Sequence, residues 1–174
     1  GTDIFLWPFP QQLQKNDQVA VVAAIDGIIV LKDDGRADNS CSLNGKSWNA
    51  VYVKGSDGFT YWYGHLKKNS LTTKRVGDHV NQGEFLGIVG SSGNSTGPHL
   101  HFEIYDKADN LVDPFSGTCN NIESLWLDQK PYYEPTINVI MTHGVAPVYP
   151  DCPKLETIGD KDYFMTGDNI YFGS

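Results

Sequence analysis

The chain of 174 residues carries a formal net charge of −8, with 40% hydrophobic and 20% charged residues. This composition is typical of a globular chain that buries a sizeable core, and it excludes a disordered or fibrous protein. No segment gathers Lys and Arg on one face, so we exclude nucleic acid as a partner. No window approaches the roughly 18 apolar residues that a membrane-spanning helix needs, so we predict no membrane span.

Short β-rich runs separated by turn residues dominate the first half of the chain. Asp26-Gly27 and Ser56-Asp57-Gly58 each separate two such runs, and the second is a strong hairpin signal. The four runs cover residues 19–24, 28–31, 50–54 and 59–63. Evenly placed glycines over residues 76–90 predict strands that bend sharply. We predict a mainly β fold, an antiparallel sheet with a barrel- or sandwich-like core and an open groove.

Residues 99–105 alternate between polar and apolar side chains and predict a further strand. The apolar members, Leu100, Phe102 and Ile104, are expected to enter the core. The opposite face then carries His99, His101, Glu103 and Tyr105. Residues i and i+2 of a strand lie about 6.6 Å apart at the backbone. One imidazole of this pair can therefore bind a metal ion while the other handles a proton beside it.

The chain changes character after Asp113-Pro114. Asn121 is expected to cap a short helix, because Ile122, Leu125 and Trp126 follow at helical spacing and Pro131 comes soon after. Residues 132–174 are rich in Pro and aromatic residues and predict an extended tail. We therefore divide the chain into a domain over residues 1–114 and a C-terminal extension over residues 115–174. This extension either packs on the domain or begins a further β module.

Three cysteines, Cys41, Cys119 and Cys152, lie in polar or Pro/Gly-rich loops without C-x-x-C spacing. The spacing argues against a cysteine-based zinc site. The loop placement favours disulfides formed in an oxidising compartment over the free thiols of a cytoplasmic protein, which are mostly buried. We predict a Cys119–Cys152 disulfide, which leaves Cys41 free or bonded to a residue outside this sequence.

The H-x-H pair of His99 and His101 is a weak metal signature by itself, because a metal site needs further ligands. Two surface histidines on a half-exposed strand are the alternative interpretation. Further candidates are His65, which stands at the end of the predicted hairpin, and Asp3, which stands near the start of the sequence.

These motifs, in this order, resemble the lysostaphin-type, LytM-like zinc endopeptidases, which are peptidoglycan hydrolases. The resemblance spans residues 1–113 and leaves the tail uncovered. It rests on Asp3, Tyr63-Gly64-His65-Leu66, the glycine-spaced run, and the S-T-G-P-H-L-H-F-E segment over residues 95–103.

The resemblance implies a role for each candidate residue. Asp3 and His101 become ligands of one Zn²⁺, and His99 becomes the general base that takes a proton from the attacking water. His65 becomes a second catalytic histidine that hydrogen-bonds the developing oxyanion. Glu103 is expected to orient one histidine. The aromatic segment over residues 5–10, which follows Asp3 closely, departs from the family pattern and is expected either to line the groove or to form a locally buried cluster.

The implied substrate is the peptide part of bacterial cell-wall peptidoglycan, or a glycine-containing peptide. The implied location is the bacterial cell envelope, the periplasm or the exterior. In the family, an H-x-x-x-D segment also supplies a zinc-binding histidine, which here would stand two positions before Gly1. We expect that the sequence starts downstream of the true N-terminus, because lost residues explain the retained site residues more simply than evolved decay.

Two other classes of protein remain alternatives. One is a catalytically inactive relative that binds the cell wall or regulates other enzymes. The other is a carrier or phosphotransfer domain, because the glycine-spaced run over residues 76–90 also resembles those folds. A carrier would need a modifiable lysine in a tight hairpin, which the sequence lacks, and a phosphotransfer domain has no use for Asp3.

Overall fold

The computed structural model of the chain describes residues 1–118, 120, 123–131 and 140–173. Within these ranges it contains one short helix and eleven strands. In chain order they are β1 (Thr2–Phe5), α1 (Pro10–Lys15), β2 (Ala20–Val22), β3 (Gly27–Asp33), β4 (Ala50–Gly55), β5 (Thr60–Gly64), β6 (His79–Val80), β7 (Phe85–Ile88), β8 (His99–Tyr105), β9 (Leu111–Val112), β10 (Met141–His143) and β11 (Tyr171–Gly173).

Antiparallel pairing joins the strands into one large and two small sheets. The large sheet has seven strands in the order β1-β8-β5-β4-β3-β6, and β9 pairs with β8. The small sheets are β2-β7 and β10-β11. The prediction of a mainly β, antiparallel fold is confirmed. The large sheet stays open, because β1 and β6 form its two edges and do not pair with each other.

The predicted hairpin forms β4 and β5, and its alternation builds the core. Val51 and Val53 of β4, together with Tyr61 and Tyr63 of β5, are buried on one face of the sheet. Leu86 and Val21 of the small β2-β7 sheet belong to the same hydrophobic cluster. Removal of these side chains from water is the main driving force for the fold.

The strand predicted over residues 99–105 is confirmed as β8, with the expected division of its faces. Phe102 and Ile104 are buried in the core, and Leu100 packs against it. β8 lies between β1 and β5 in the sheet. Side chains from three strands therefore meet on the face that carries His99 and His101.

The position predicted for the helix is wrong for the residues that the structure describes there. Asn121 and Ile122 lie outside the described residues, and residues 123–131 contain no helix. Trp126 instead packs against Phe102 and Phe115, with ring centroids 5.8 and 5.4 Å away. A short apolar pattern of this kind reports burial but does not distinguish a helix from a packed loop.

Among the described residues, the helix is α1, which begins at Pro10. A proline suits the first turn, because the backbone N–H that it lacks would have no partner inside the helix. Two other free N–H groups of that turn, those of Gln11 and Gln12, donate to the carboxylate of Glu156 at 3.1 and 3.0 Å. This cap comes from a residue about 145 positions away, so no local signal announces it.

The C-terminal residues pack on the region around α1. Glu156 is buried, and the ring of Tyr149 stacks on Phe9 with centroids 5.5 Å apart. His143 is fully buried and meets Phe9 edge-on at 5.9 Å.

The division of the chain into a domain over residues 1–114 and an extension over residues 115–174 stays a proposal. No helix in the described part of the chain is long and apolar enough to cross a membrane.

The disulfide prediction is wrong, because Cys152 is bonded to Cys41. The two cysteines are 111 positions apart, and their Cα atoms lie 5.7 Å from each other. Cys119 lies outside the described residues. Disulfide pairing depends on Cα separation in the folded chain, which cysteine spacing does not encode. The bond joins the C-terminal segment to the long loop between β3 and β4.

Candidate active site

The strand register brings the predicted site residues together. β1 pairs with β8 so that Asp3 lies opposite His101 and Phe5 lies opposite His99. On the other side of β8, β5 places Gly64 opposite His101, and His65 follows Gly64 directly. Directly opposed residues of antiparallel strands have Cβ atoms about 5 Å apart. Residues from distant parts of the sequence therefore meet around His101.

All four predicted residues line one groove with a volume of about 450 Å³. Further lining residues come from the loop between β3 and β4 and from the loop before β8, and they include Leu43, Lys46, Ser47, Trp48, Asn94 and Thr96. Phe5 also lines the groove, and its side chain is 64% exposed. Within the aromatic segment over residues 5–10, Phe5 takes the groove-lining position, whereas Leu6 and Phe9 are buried.

His65 occupies an unusual backbone conformation at the end of β5. Its φ of +59° lies in the left-handed region, where a residue other than glycine is strained. Its Nδ1 lies 2.7 Å from the carbonyl oxygen of Ser92. A carbonyl can only accept, so Nδ1 carries the proton and donates it, and in the neutral ring Nε2 keeps a lone pair. Burial lowers the pKa of His65 to about 4, which keeps the ring neutral at neutral pH.

His99 is held in the same tautomer by another carbonyl group. Its Nδ1 donates to the carbonyl oxygen of Gly97 at 2.8 Å. Its Nε2 lies 3.6 Å from Oδ1 of Asp3, and Phe5 stacks on the ring with centroids 5.1 Å apart. The rings of His99 and His65 are 4.5 Å apart. The two imidazoles therefore lie side by side, and each directs its Nδ1–H to a backbone carbonyl group.

His101 lies between two carboxylates. Its Nδ1 is 2.6 Å from Oδ1 of Asp3, and its Nε2 is 3.0 Å from Oε1 of Glu103. A neutral imidazole has one N–H, so it can donate to only one of these acceptors. Burial raises the pKa of Glu103, but its hydrogen bonds with His101 and Tyr105 together outweigh burial and leave the pKa below its usual value. Glu103 is thus placed to orient His101, as the sequence analysis expects.

The donor set fits a zinc ion. Imidazole nitrogens and a carboxylate oxygen are the ligand types of catalytic zinc sites, which use three protein ligands and an open position. One ligand nitrogen from each of His65, His99 and His101 lies within 4.8 Å of the others. Asp3 and His101 also bring their acceptor atoms together, as two ligands of one cation must. If the Nε2–H group of His101 donates a hydrogen bond to Glu103, Nδ1 of His101 is left free to bind a cation beside Asp3.

Trp48 is the site residue that the sequence analysis misses. Its ring centroid lies 4.9 Å from that of His65 and 5.4 Å from that of His101. Trp48 ends a long polar loop, and no residue spacing connects it to the histidines. The glycine of the Tyr-Gly-His motif was the available signal, because a glycine within a strand marks close approach of another group.

The model of a protein family described as peptidase family M23 matches residues 11–114. The chain belongs to this family. The resemblance to lysostaphin-type peptidases is therefore confirmed. The matched residues of this M23 chain include His65, His99 and His101, whereas Asp3 precedes them.

Curated relatives of this M23 chain include a protein named as a peptidoglycan endopeptidase. The chain is 34% identical over 98 residues to peptidoglycan DD-endopeptidase ShyC of Vibrio cholerae, a match that covers 56% of this chain and 22% of the relative. It is 50% identical over 57 residues to lysostaphin of Staphylococcus simulans, a match that covers 33% of this chain and 10% of the relative. The chain thus spans less than a quarter of these relatives.

A solved structure is also similar to the M23 chain. The catalytic domain of lysostaphin from Staphylococcus simulans matches with a TM-score of 0.45 and 27% identity. That match covers 66% of this chain and 74% of the lysostaphin chain.

Proposed function

We propose that this M23 chain is a zinc-dependent endopeptidase that hydrolyses peptide bonds in the stem peptides or cross-bridges of peptidoglycan. The convergence of Asp3, His65, His99 and His101 in one open groove carries the proposal. The relatives named for peptidoglycan hydrolysis support the substrate class. The same relatives and the disulfide favour a location in the bacterial cell envelope, in the periplasm or outside the cell.

Asp3 and His101 are the proposed protein ligands within this chain. When bound in such a site, a zinc ion acidifies water toward a pKa of about 7 and polarises the carbonyl group under attack. Glu103 supports this binding by accepting a hydrogen bond from Nε2 of His101, which fixes the ring and leaves Nδ1 directed toward Asp3.

His99 is the proposed general base. Its Nδ1–H is committed to the carbonyl of Gly97, so its Nε2 lone pair is available to take the proton of the attacking water. This nitrogen lies 3.6 Å from Asp3 Oδ1, close to the proposed ligands. The stacked ring of Phe5 restricts rotation of the imidazole and covers it from solvent.

Nε2 of His65 is better suited to accept a hydrogen bond than to donate one. The oxyanion role would need a proton on Nε2, but the single N–H of the neutral ring is donated to Ser92. We therefore propose that His65 accepts a hydrogen bond from the attacking water and orients it, beside the general base His99. Its burial and its hydrogen bond to Ser92 keep the ring at the groove while the substrate enters.

The groove suits an extended and flexible peptide. Small polar residues at positions 94–96 form one wall, which leaves space for backbone to approach the histidines. Leu43 and Phe5 are 72% and 64% exposed and offer apolar surface on the walls. A single domain over residues 1–114 would hold the complete groove, and we propose that the extension over residues 115–174 stabilises it.

The test uses the full-length protein purified without chelator. Its zinc content is measured by elemental analysis, and purified peptidoglycan is digested with and without a chelator, with released fragments identified by mass spectrometry. We expect about one zinc per chain, new peptide termini, and recovery of cleavage when zinc is restored.

Cell-wall binding without cleavage would instead establish the inactive relative. Transfer of phosphate to His99 or His101 would establish the phosphotransfer alternative, and either result would overturn the proposed activity.

A further inference from the structure

Trp48 contacts two of the proposed active-site histidines. It belongs to the loop between β3 and β4 and stands two residues before β4 begins. Its ring meets His65 edge-on at 4.9 Å and lies tilted against His101 at 5.4 Å. Trp48 therefore restricts the rotation of both imidazoles from one side.

Two glycines make room for Trp48. A Cβ atom at Gly64 would lie 2.6 Å from a carbon of the Trp48 ring, so the ring packs directly on the main chain of β5. A Cβ atom at Gly93 would lie 2.8 Å from Cβ of Trp48. No ordinary side chain fits at either glycine without displacing Trp48. Because glycine has no side chain, positions 64 and 93 leave space for Trp48 on two sides.

A line of aromatic contacts runs from Trp48 across the sheet. The Nε1–H of Trp48 donates to the hydroxyl of Tyr52 at 3.3 Å. The ring of Tyr52 stacks on Trp62 with centroids 4.1 Å apart and planes 5° apart. Trp62 in turn contacts Tyr105, with centroids 4.5 Å apart. These rings come from β4, β5 and β8.

The line returns to His101. The hydroxyl of Tyr105 donates to Oε2 of Glu103 at 2.9 Å, and Oε1 of Glu103 lies 3.0 Å from Nε2 of His101. The contacts therefore form a closed circuit. In order, it contains His101, Glu103, Tyr105, Trp62, Tyr52 and Trp48.

We propose that Trp48 is a positioning residue that closes this circuit and fixes the rings of His101 and His65. Glu103 contacts Nε2 at one edge of the His101 ring, and the Trp48 ring packs against the same imidazole from another side. Loss of Trp48 frees both rings to rotate, so that Nδ1 of His101 no longer points steadily toward Asp3. This inference rests on the proposed zinc peptidase function. It adds Trp48, which neither binds the metal nor accepts a proton, to the residues that this function needs.

The first test compares Trp48→Ala with Trp48→Phe in the full-length protein. Zinc affinity is measured by competition with a chromogenic chelator, and kcat and KM are measured on a soluble wall peptide. We expect Trp48→Ala to weaken zinc binding about 10- to 100-fold and to lower kcat by a similar factor, as loss of groups that orient metal ligands does. KM should change less than about threefold, because the residue acts through the histidines.

Trp48→Phe should recover part of the loss, because it keeps an aromatic ring on Gly64 but lacks the N–H that reaches Tyr52. The matched control is Trp7→Ala, since Trp7 is 71% exposed and does not line the groove. Zinc affinity and kcat of this control should stay within about twofold of the parent. Unchanged zinc affinity and kcat in Trp48→Ala, or a change in KM alone, would overturn the proposal.

A second variant distinguishes loss of the Trp48 contacts from a general packing defect caused by Trp48→Ala. Gly64→Ala places a methyl group against the ring and displaces it while all other side chains remain. We expect the same loss of zinc affinity, with a far-ultraviolet spectrum like that of the parent. A folded Gly64→Ala protein with parental zinc affinity would contradict a positioning role.

The circuit can also be tested apart from the proposed activity. In the metal-free protein, ring ¹⁵N chemical shifts of His65 and His101 should both move in Trp48→Phe and stay unchanged in Trp7→Ala. Absence of zinc binding in the parent would defeat the proposed function and leave this result intact. Unmoved histidine shifts in Trp48→Phe would defeat the circuit and leave the proposed function intact.

Discussion

Oδ1 of Asp3 lies 2.6 Å from Nδ1 of His101, although the two residues are 98 positions apart in the sequence. They are direct partners in the antiparallel register of β1 and β8. Because both stand on strands of the same sheet, their separation is set by backbone hydrogen bonds. A site built on strands keeps its geometry better than one built on loops. We propose that a cation binds at this pair.

The proposed division of labour between the two histidines of the H-x-H pair predicts different mutant behaviour. His101→Ala should abolish zinc binding, because it removes a ligand. His99→Ala should retain zinc and lose about 10²- to 10⁴-fold in turnover, the range for removal of a general base. Elemental analysis and peptide release measure the two effects. Equal loss of zinc in both variants would favour a site of three histidines over the pair of Asp3 and His101.

Removal of zinc should destabilise the protein. A ligand that binds only the folded state stabilises it by about 4 kcal/mol when its free concentration is 1,000 times the dissociation constant. We therefore expect dialysis against a chelator to lower Tm and zinc to restore it. Scanning calorimetry measures the shift. The control is His101→Ala, whose Tm should be indifferent to both treatments, and an equal zinc response in that variant would place the ion elsewhere.

Glu156→Ala should destabilise the fold. It removes the carboxylate that accepts from two free backbone N–H groups of α1, and loss of such a cap costs about 1–2 kcal/mol. The free energy of unfolding is measured by denaturant titration. Glu123→Ala is the matched control, because Glu123 is exposed. A Glu156→Ala protein as stable as the control would show that the contact contributes nothing.

Reduction of the Cys41–Cys152 disulfide should also destabilise the protein. A disulfide typically stabilises a fold by about 2–4 kcal/mol, mainly by restricting the unfolded chain. We expect dithiothreitol to lower Tm of the parent and to leave Tm of the double variant Cys41→Ser/Cys152→Ser unchanged. Mass spectrometry after proteolysis should recover the peptides of Cys41 and Cys152 as one linked species. Recovery of a peptide linking Cys119 and Cys152 would contradict the structure.

The sequence by itself determined the features that repeat over a few residues. Alternation over residues 99–105 placed His99 and His101 on one face and Phe102 in the core, as β8 shows. The turn residues Ser56-Asp57-Gly58 placed the β4-β5 hairpin. These signals are local, because side-chain direction on a strand and backbone conformation in a turn depend on neighbouring residues.

The motif residues also predicted a long-range arrangement, because their resemblance to a family indicated which distant residues meet. It brought together Asp3, His65 and the H-x-H pair without any information on register. The partner of Cys152, the position of the helix and the place of Trp48 depended on the tertiary structure alone. Cys41 reaches Cys152, Glu156 reaches α1, and Trp48 reaches the histidines because the chain packs, and packing contacts between distant residues leave no periodic pattern in the sequence.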